Sequence, residues 1–201
     1  MQLKKIFSEI TKELDNLDQD REEILKISRQ MIRNCGIAIK AIHRKDYSLY
    51  KEKIESIEKD HELLRDLVNK NPFIFEKYLK TPEQEYIEAV CLYAIIENKD
   101  FPKPADYNVI SINYLLGIAD VIGELRRYAL DQIRAENFDK LDYILEKMEE
   151  LYTYLFSLDY PKGLVQDLRH KTDIARNLIE RTRGDISLSL QMNRLKNTLK
   201  K

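Results

Sequence analysis

Residues 3–44 form a long stretch with almost no helix-breaking residue, because it contains no proline and its one glycine, Gly36, is isolated. Apolar residues recur along it at steps of three and four, the period of an amphipathic helix. The whole chain has five glycines and five prolines among 201 residues, and 34% of its residues are charged. No segment shows the alternation of a strand. The sequence therefore predicts an all-α protein with a very long first helix.

Capping residues and helix breakers divide the rest of the chain into further helices. Asp46 can cap a second helix that ends near Asn69, and Asn71-Pro72 opens a short third one. Thr81-Pro82 is typical of a helix start. The later segments are a loop over 99–104, a helix over 109–135, a helix ending near Leu158, and a last helix that ends near Gly184 and is followed by a short helical tail from Ile186. About six or seven helices result, within a single domain over 1–201.

Composition excludes several classes of protein. The formal net charge is −1, so bulk charge does not indicate a nucleic acid or a membrane as partner. No stretch approaches the roughly 20 apolar residues of a membrane span, and no secretory apolar region follows the N-terminus. Cys35 and Cys91 have no second cysteine or histidine at ligand spacing, which favours two reduced core residues. We expect a soluble, cytoplasmic protein.

Two carboxylates interrupt the most apolar part of the chain, residues 115–125. Asp120 and Glu124 are one helical turn apart, so a helix places both on one face. Like charges at this spacing repel, and a largely apolar surface keeps them only if a cation meets them. A bound metal ion is one such cation. Arg127, one turn beyond Glu124, is a second candidate cation, since it could form an intrahelical ion pair with Glu124.

A second acidic pair, Glu85 and Glu88, repeats the arrangement at a spacing of three. Acids near the start of a helix also favour its N-terminal dipole, so this pair alone could be ordinary surface residues. Two carboxylates from each of two helices would suit Mg²⁺ or Mn²⁺ better than zinc. Such ions lower the pKa of water and stabilise charge on phosphorus. The four acids therefore point to phosphodiester hydrolysis.

A di-iron carboxylate bundle is the competing interpretation of these acids. Such sites draw Glu-x-x-His pairs from two helices, and the three histidines of this chain, His43, His61 and His170, do not supply them. The histidines are expected to be polar surface or interface residues. No Ser-His-Asp or Cys-His arrangement and no glycine-rich phosphate loop is present.

A row of basic residues follows the second half of the first helix. Its members recur at helical steps and share one face: Lys26, Arg29, Arg33, Lys40 and Arg44. Between positions 24 and 45 there are six Lys or Arg and no acid. Such a face can follow a phosphate backbone, or it can be the solvated side of the helix or pair with acids on a neighbour. Both interpretations stay open on periodicity alone.

Two segments resemble motifs of the translin/Trax family. Segment 84–90, QEYIEAV, is similar to the family's QEYVEA, and segment 113–125, NYLLGIADVIGEL, is similar to DYLLGVADLTGEL, with Asn113 in place of the usual Asp. Residues 27–29, the basic stretch ending at Arg44, segment 168–173 and Arg183-Gly184 match in the same order. The resemblance spans nearly the whole chain and is stronger to the catalytic Trax branch, in its archaeal single-subunit form.

The resemblance implies a seven-helix bundle of the translin type. It also implies a Mg²⁺-dependent endoribonuclease, because Trax-type subunits carry the full acidic set that translin-type subunits lack. Metal-binding and catalytic roles then fall to Glu85, Glu88, Asp120 and Glu124. Subunits of this family assemble into closed shells, so we expect a homo-oligomer of about six to eight copies that encloses single-stranded RNA, or DNA. The basic row, above all Arg29, Arg33 and Lys40, would contact the nucleic acid.

Two other functions stay open at this point. A translin-like assembly would bind single-stranded nucleic acid without cutting it, and its binding would be salt-sensitive. A helical scaffold would use the same acids only for ion pairs between subunits, and their replacement would disturb assembly alone.

Overall fold

The computed structural model describes residues 2–165 and 167–199, and all regular secondary structure in that part is helical. None of its helices is both long and apolar enough to cross a membrane. The α-helices are α1 Gln2–His43, α2 Tyr47–Lys70, α3 Pro72–Phe75, α4 Lys80–Ile96, α5 Ser111–Arg134, α6 Leu141–Phe156, α7 Lys162–Val165 and α8 Leu168–Leu199, with 3₁₀ turns at Glu76–Leu79 and Pro104–Tyr107. Six of these α-helices are long, and with the short helical segment over 72–79 they give the seven helices of the prediction, while α7 is a single further turn. The all-α, seven-helix prediction is confirmed.

The chain forms two compact units, residues 1–86 and 87–201. The expectation of one domain over 1–201 stays a prediction. In the first unit α1 and α2 pack antiparallel, since Lys70 Nζ donates to Asp20 Oδ1 (2.8 Å) and Asn34 Nδ2 donates to Ser56 Oγ (3.2 Å). Their interface is apolar and buried, with a core that includes Ile24, Met31, Cys35, Ile57 and Leu64. Burial of these side chains is what stabilises the hairpin.

The N-terminal half of α1 presents an apolar face that the chain leaves exposed. We name it the N-terminal stripe; its members are at least 42% exposed and follow helical spacing: Leu3, Ile6, Phe7, Ile10 and Leu14. Soluble proteins rarely expose a contiguous apolar patch without a contact to cover it. The stripe is therefore a candidate surface for contact with another molecule.

Three of the predicted helix starts are confirmed. Asp46 caps α2, because its Oδ1 accepts a hydrogen bond from the Leu49 backbone N–H at 3.1 Å. Pro72 occupies the first turn of α3, where the missing N–H costs nothing. Thr81 and Pro82 lie in the first turn of α4, which begins one residue earlier than Thr81.

In the second unit α5 and α8 run in the same direction. Lys171, early in α8, contacts Asp120, while further along α8 Asp185 Oδ2 lies 2.9 Å from Arg126 Nη1, which is further along α5. The helix between them in sequence, α6, runs the opposite way. Glu149 in its middle pairs with Arg183 further along α8 (2.7 Å), whereas Asp159, just beyond the end of α6, pairs with Arg169 at the start of α8 (2.5 Å). The three helices bury a common apolar core: Leu116, Ile122, Leu125, Ile144, Met148 and Ile179.

The last helix differs from the prediction, because α8 continues through Gly184 to Leu199 without a break. A single glycine inside a helix costs only about 1 kcal/mol relative to alanine. Thr182 and Ile186 on either side are buried, and Asp185 pairs with Arg126. These contacts outweigh the glycine penalty, so a signal that often ends a helix does not end this one.

Candidate active site

The α5 acids project from an otherwise apolar helix. The Asp120 side chain is 35% exposed and that of Glu124 is 22% exposed. Their neighbours Ala119, Val121 and Leu125 are buried in the second unit. Two carboxylates one turn apart are therefore held at the edge of a close-packed core, where solvent screens charge less than at an open surface.

Lys171 of α8 forms an ion pair with Asp120. Its Nζ donates a hydrogen bond to Asp120 Oδ2, and the Lys171 side chain is only 22% exposed. Lys171 is not among the predicted site residues, because it lies 51 positions from Asp120 in the chain. Segment 168–173, which contains Lys171, was one of the segments that resemble the family, and this was the only signal for it.

Glu124 has a cation on its own helix. Arg127 Nη1 lies 3.4 Å from Glu124 Oε2, and the Arg127 side chain is 49% exposed. This is the intrahelical pair that the spacing allowed. An exposed pair of this kind contributes about 0–1 kcal/mol, so it neutralises Glu124 without holding it rigidly.

The α4 acids lie three residues apart on their helix. Glu85 and Glu88 are both half-buried, whereas Gln84, Tyr86 and Ala89 around them are buried. Neither acid is fully exposed. Acids whose only role is to favour the N-terminal dipole of a helix would be expected at the surface. Both acids take part in interactions within the protein.

As the side chains lie, no three His, Cys, Asp or Glu residues in the described part of the chain are grouped closely enough to hold a metal ion. The positive charge beside the α5 acids comes from Lys171 and Arg127. The donor set itself fits a hard divalent cation, because carboxylate oxygens are the ligands that Mg²⁺ and Mn²⁺ prefer. A metal site built from the four predicted acids stays a prediction.

A buried charged cluster fixes the start of α4, and the sequence analysis missed it. Glu83 is fully buried, and its Oε1 accepts hydrogen bonds from Arg65 Nη1 (2.9 Å) and His61 Nε2 (3.1 Å) on α2. The His61 ring packs edge-to-face on Tyr86, with centroids 5.7 Å apart. The expectation that His61 is a surface or interface residue is therefore wrong, since it is 4% exposed and holds a buried carboxylate.

The basic row of α1 is exposed along its length. Its members are Lys26, Arg29, Arg33, Lys40 and Arg44. Arg29 Nε donates to the Leu25 carbonyl oxygen at 3.0 Å, which directs its side chain along the helix. No carboxylate of the described residues forms an ion pair with Arg33 or Lys40. The row is therefore not neutralised by acids of a neighbouring helix within the described chain, which favours the phosphate-binding interpretation over intramolecular pairing.

Known proteins are similar to this chain in sequence. The Translin family model matches residues 2–183. An uncharacterised protein of Methanocaldococcus jannaschii is 39% identical over 190 residues, which cover 94% of this chain and 84% of that protein. The translin-associated protein X homolog of Schizosaccharomyces pombe is 25% identical over 186 residues, covering 83% of this chain and 80% of that protein.

A solved structure, AfC3PO in complex with duplex RNA, superposes on this chain with a TM-score of 0.86. The two chains are 31% identical, and the superposition covers 94% of this chain and 98% of the other.

Proposed function

We propose a function for this chain from one premise, that it belongs to the translin family. The function is a Mg²⁺- or Mn²⁺-dependent endoribonuclease of the Trax type, which cleaves single-stranded RNA in the cytoplasm. One observation carries the proposal above all: the four acids of the family motifs, Glu85, Glu88, Asp120 and Glu124, are all present in this chain. Similarity to a translin-associated protein X homolog supports the Trax-type assignment.

One set of residues in the chain would bind the metal ion and another would bind the RNA. The four acids would hold the divalent ion, which when bound lowers the pKa of water and stabilises the charge that develops on phosphorus. Arg29, Arg33 and Lys40 would bind backbone phosphates, which fixes the position of the RNA without reading its sequence.

RNA as the ligand class is supported by AfC3PO, which was solved with duplex RNA. Both single-stranded and duplex RNA therefore belong in the test. DNA is the remaining nucleic acid that the basic row could bind, because phosphate contacts do not distinguish it from RNA.

The alternative function is a translin-like assembly that binds nucleic acid without cutting it. The observation that favours it is the pairing of Asp120 with Lys171, since a carboxylate neutralised by an internal ammonium needs no metal. This alternative predicts that the protein binds RNA and that no cleavage products form when metal is added.

Cleavage of end-labelled RNA by the purified full chain decides between the two functions. Reactions contain single-stranded or duplex RNA with Mg²⁺, with Mn²⁺, or with EDTA. Products that form with metal and vanish with EDTA would support the nuclease. Retarded but intact RNA under all three conditions would overturn it and favour the binding assembly.

Replacing Arg29 and Arg33 together with alanine is expected to weaken RNA binding about tenfold or more at low salt, because two phosphate contacts are lost. The slope of log affinity against log salt should fall by about two. Filter binding across a series of salt concentrations measures both quantities. Arg181→Ala, an exposed arginine on α8, is the matched control and should change neither. Equal losses in both proteins would contradict a role specific to the α1 row.

The N-terminal stripe is proposed to lie between subunits of a homo-oligomer of about six to eight copies. The double change Phe7→Glu and Ile10→Glu puts two charges into this apolar face, so we expect sedimentation velocity to show smaller species than wild type. Leu63→Glu, a single exposed apolar residue on α2, is the control and should leave the assembly intact. An unchanged sedimentation coefficient in the double variant would exclude the stripe from the interface.

A further inference from the structure

We propose that Lys171 is a built-in competitor for the divalent cation at Asp120, so that its ammonium sets how tightly the α5 acids bind metal. This inference rests on the proposed metal-dependent function and adds to it a residue that controls metal occupancy. It assigns no part of the chemistry to Lys171.

The position of Lys171 is fixed by its neighbours on α8. Leu168 and Thr172 on either side of it are buried, and the Thr172 hydroxyl donates to the Leu168 carbonyl oxygen at 2.8 Å. The backbone at Lys171 is thereby held against the core of the second unit. Its side chain extends to Asp120 on α5, which runs parallel to α8. The contact joins two packed helices and does not depend on a mobile surface side chain.

Each of the two α5 acids already has a cation beside it. Asp120 is met by Lys171, and Glu124 is met by Arg127 at 3.4 Å. A divalent ion on these carboxylates adds two positive charges at a place where each acid already has a cation. The divalent ion must therefore displace Lys171 from Asp120 or bind beside its ammonium group. Either event lowers the affinity of the α5 acids for the ion.

Other basic residues of α8 form pairs of a different kind. Lys196 Nζ lies 2.8 Å from Glu136 Oε1, but the two side chains are 47% and 68% exposed. The Lys171 and Asp120 side chains are 22% and 35% exposed, so water and salt screen this pair less. Lys196 thus offers a matched control: the same residue type on the same helix, paired with a carboxylate that the proposed site does not include.

The test measures Mn²⁺ binding to the full chain without RNA, using the electron paramagnetic resonance signal of the free ion. Lys171→Met removes the ammonium and keeps most of the side-chain length, and we expect Mn²⁺ to bind about tenfold more tightly than to wild type. Lys171→Arg keeps the charge and should bind Mn²⁺ no more tightly than wild type. Lys196→Met should match wild type. Circular dichroism confirms that each variant is folded, and Lys171→Gln replaces Lys171→Met if that variant is not.

The outcomes separate this inference from the proposed function. If wild type binds Mn²⁺ and Lys171→Met binds it equally or more weakly, Lys171 is not a competitor and the inference is overturned while the metal site stands. Tighter binding by Lys171→Arg or by Lys196→Met would also overturn it, because the effect would not follow the charge at position 171. If no protein binds Mn²⁺, the proposed metal-dependent function fails together with the inference.

Discussion

Replacing Glu124 with alanine, or Asp120 with asparagine, is expected to lower the rate of RNA cleavage on the order of a thousandfold. Each change removes a carboxylate oxygen that the proposed divalent ion needs, and leaves the basic row of α1 untouched. RNA affinity measured in EDTA should therefore stay within about twofold of wild type. Single-turnover cleavage of labelled RNA and filter binding measure the two effects on the same preparations.

Asp131→Asn is the matched control for these variants. Asp131 lies on the same helix, and its carboxylate pairs with Arg134 at 3.7 Å, but it is not one of the four motif acids. Its variant should cleave RNA as wild type does. If Glu124→Ala and Asp120→Asn retained wild-type cleavage, α5 would not carry the catalytic centre, and the Trax-type assignment would fail. A parallel loss of RNA binding would instead indicate that the acids support the fold or the assembly.

The long helices could be predicted from the sequence because their signals are local. The period of apolar residues in α1 is readable within a few turns. The Asp46 cap acts on a backbone N–H three residues away, and Pro72 favours the first turn of the helix in which it lies. The placement of Asp120 and Glu124 on one face follows from helix geometry alone. The half-buried state of both acids agrees with that reasoning.

Arg127, the cation beside Glu124, could be predicted because it lies on the same helix. The partners that come from other helices could not be predicted. Lys171 is 51 positions from Asp120, and His61 is 22 positions from Glu83. Nothing in the local pattern around His61 distinguishes a buried histidine from a surface one. At Gly184 a strong local signal predicted a helix end, and the prediction was wrong. The contacts of Thr182 and Asp185 with Arg126 keep α8 helical there. Tertiary partners decide both cases.

The Glu83 cluster also bears on the α4 acids. Glu83 is two residues before Glu85, and its two hydrogen bonds to α2 hold the first turn of α4. A buried carboxylate is stable only while its hydrogen-bond partners, here including the Arg65 guanidinium, compensate for the water that it has lost. The cluster therefore fixes the turn from which Glu85 and Glu88 follow, although it contributes no ligand to the proposed metal site.

Glu83→Ala is expected to lower the free energy of unfolding by about 3 kcal/mol, because Arg65 and His61 lose the buried carboxylate that they share. Urea denaturation followed by circular dichroism measures the change. Glu180→Ala removes a carboxylate from an exposed pair with Arg176 and should cost less than about 1 kcal/mol. A loss below about 1 kcal/mol for Glu83→Ala as well would mean that packing of apolar residues alone holds the start of α4. A large loss confined to Glu83→Ala would establish that the buried charges fix this turn, and with it the backbone position of Glu85.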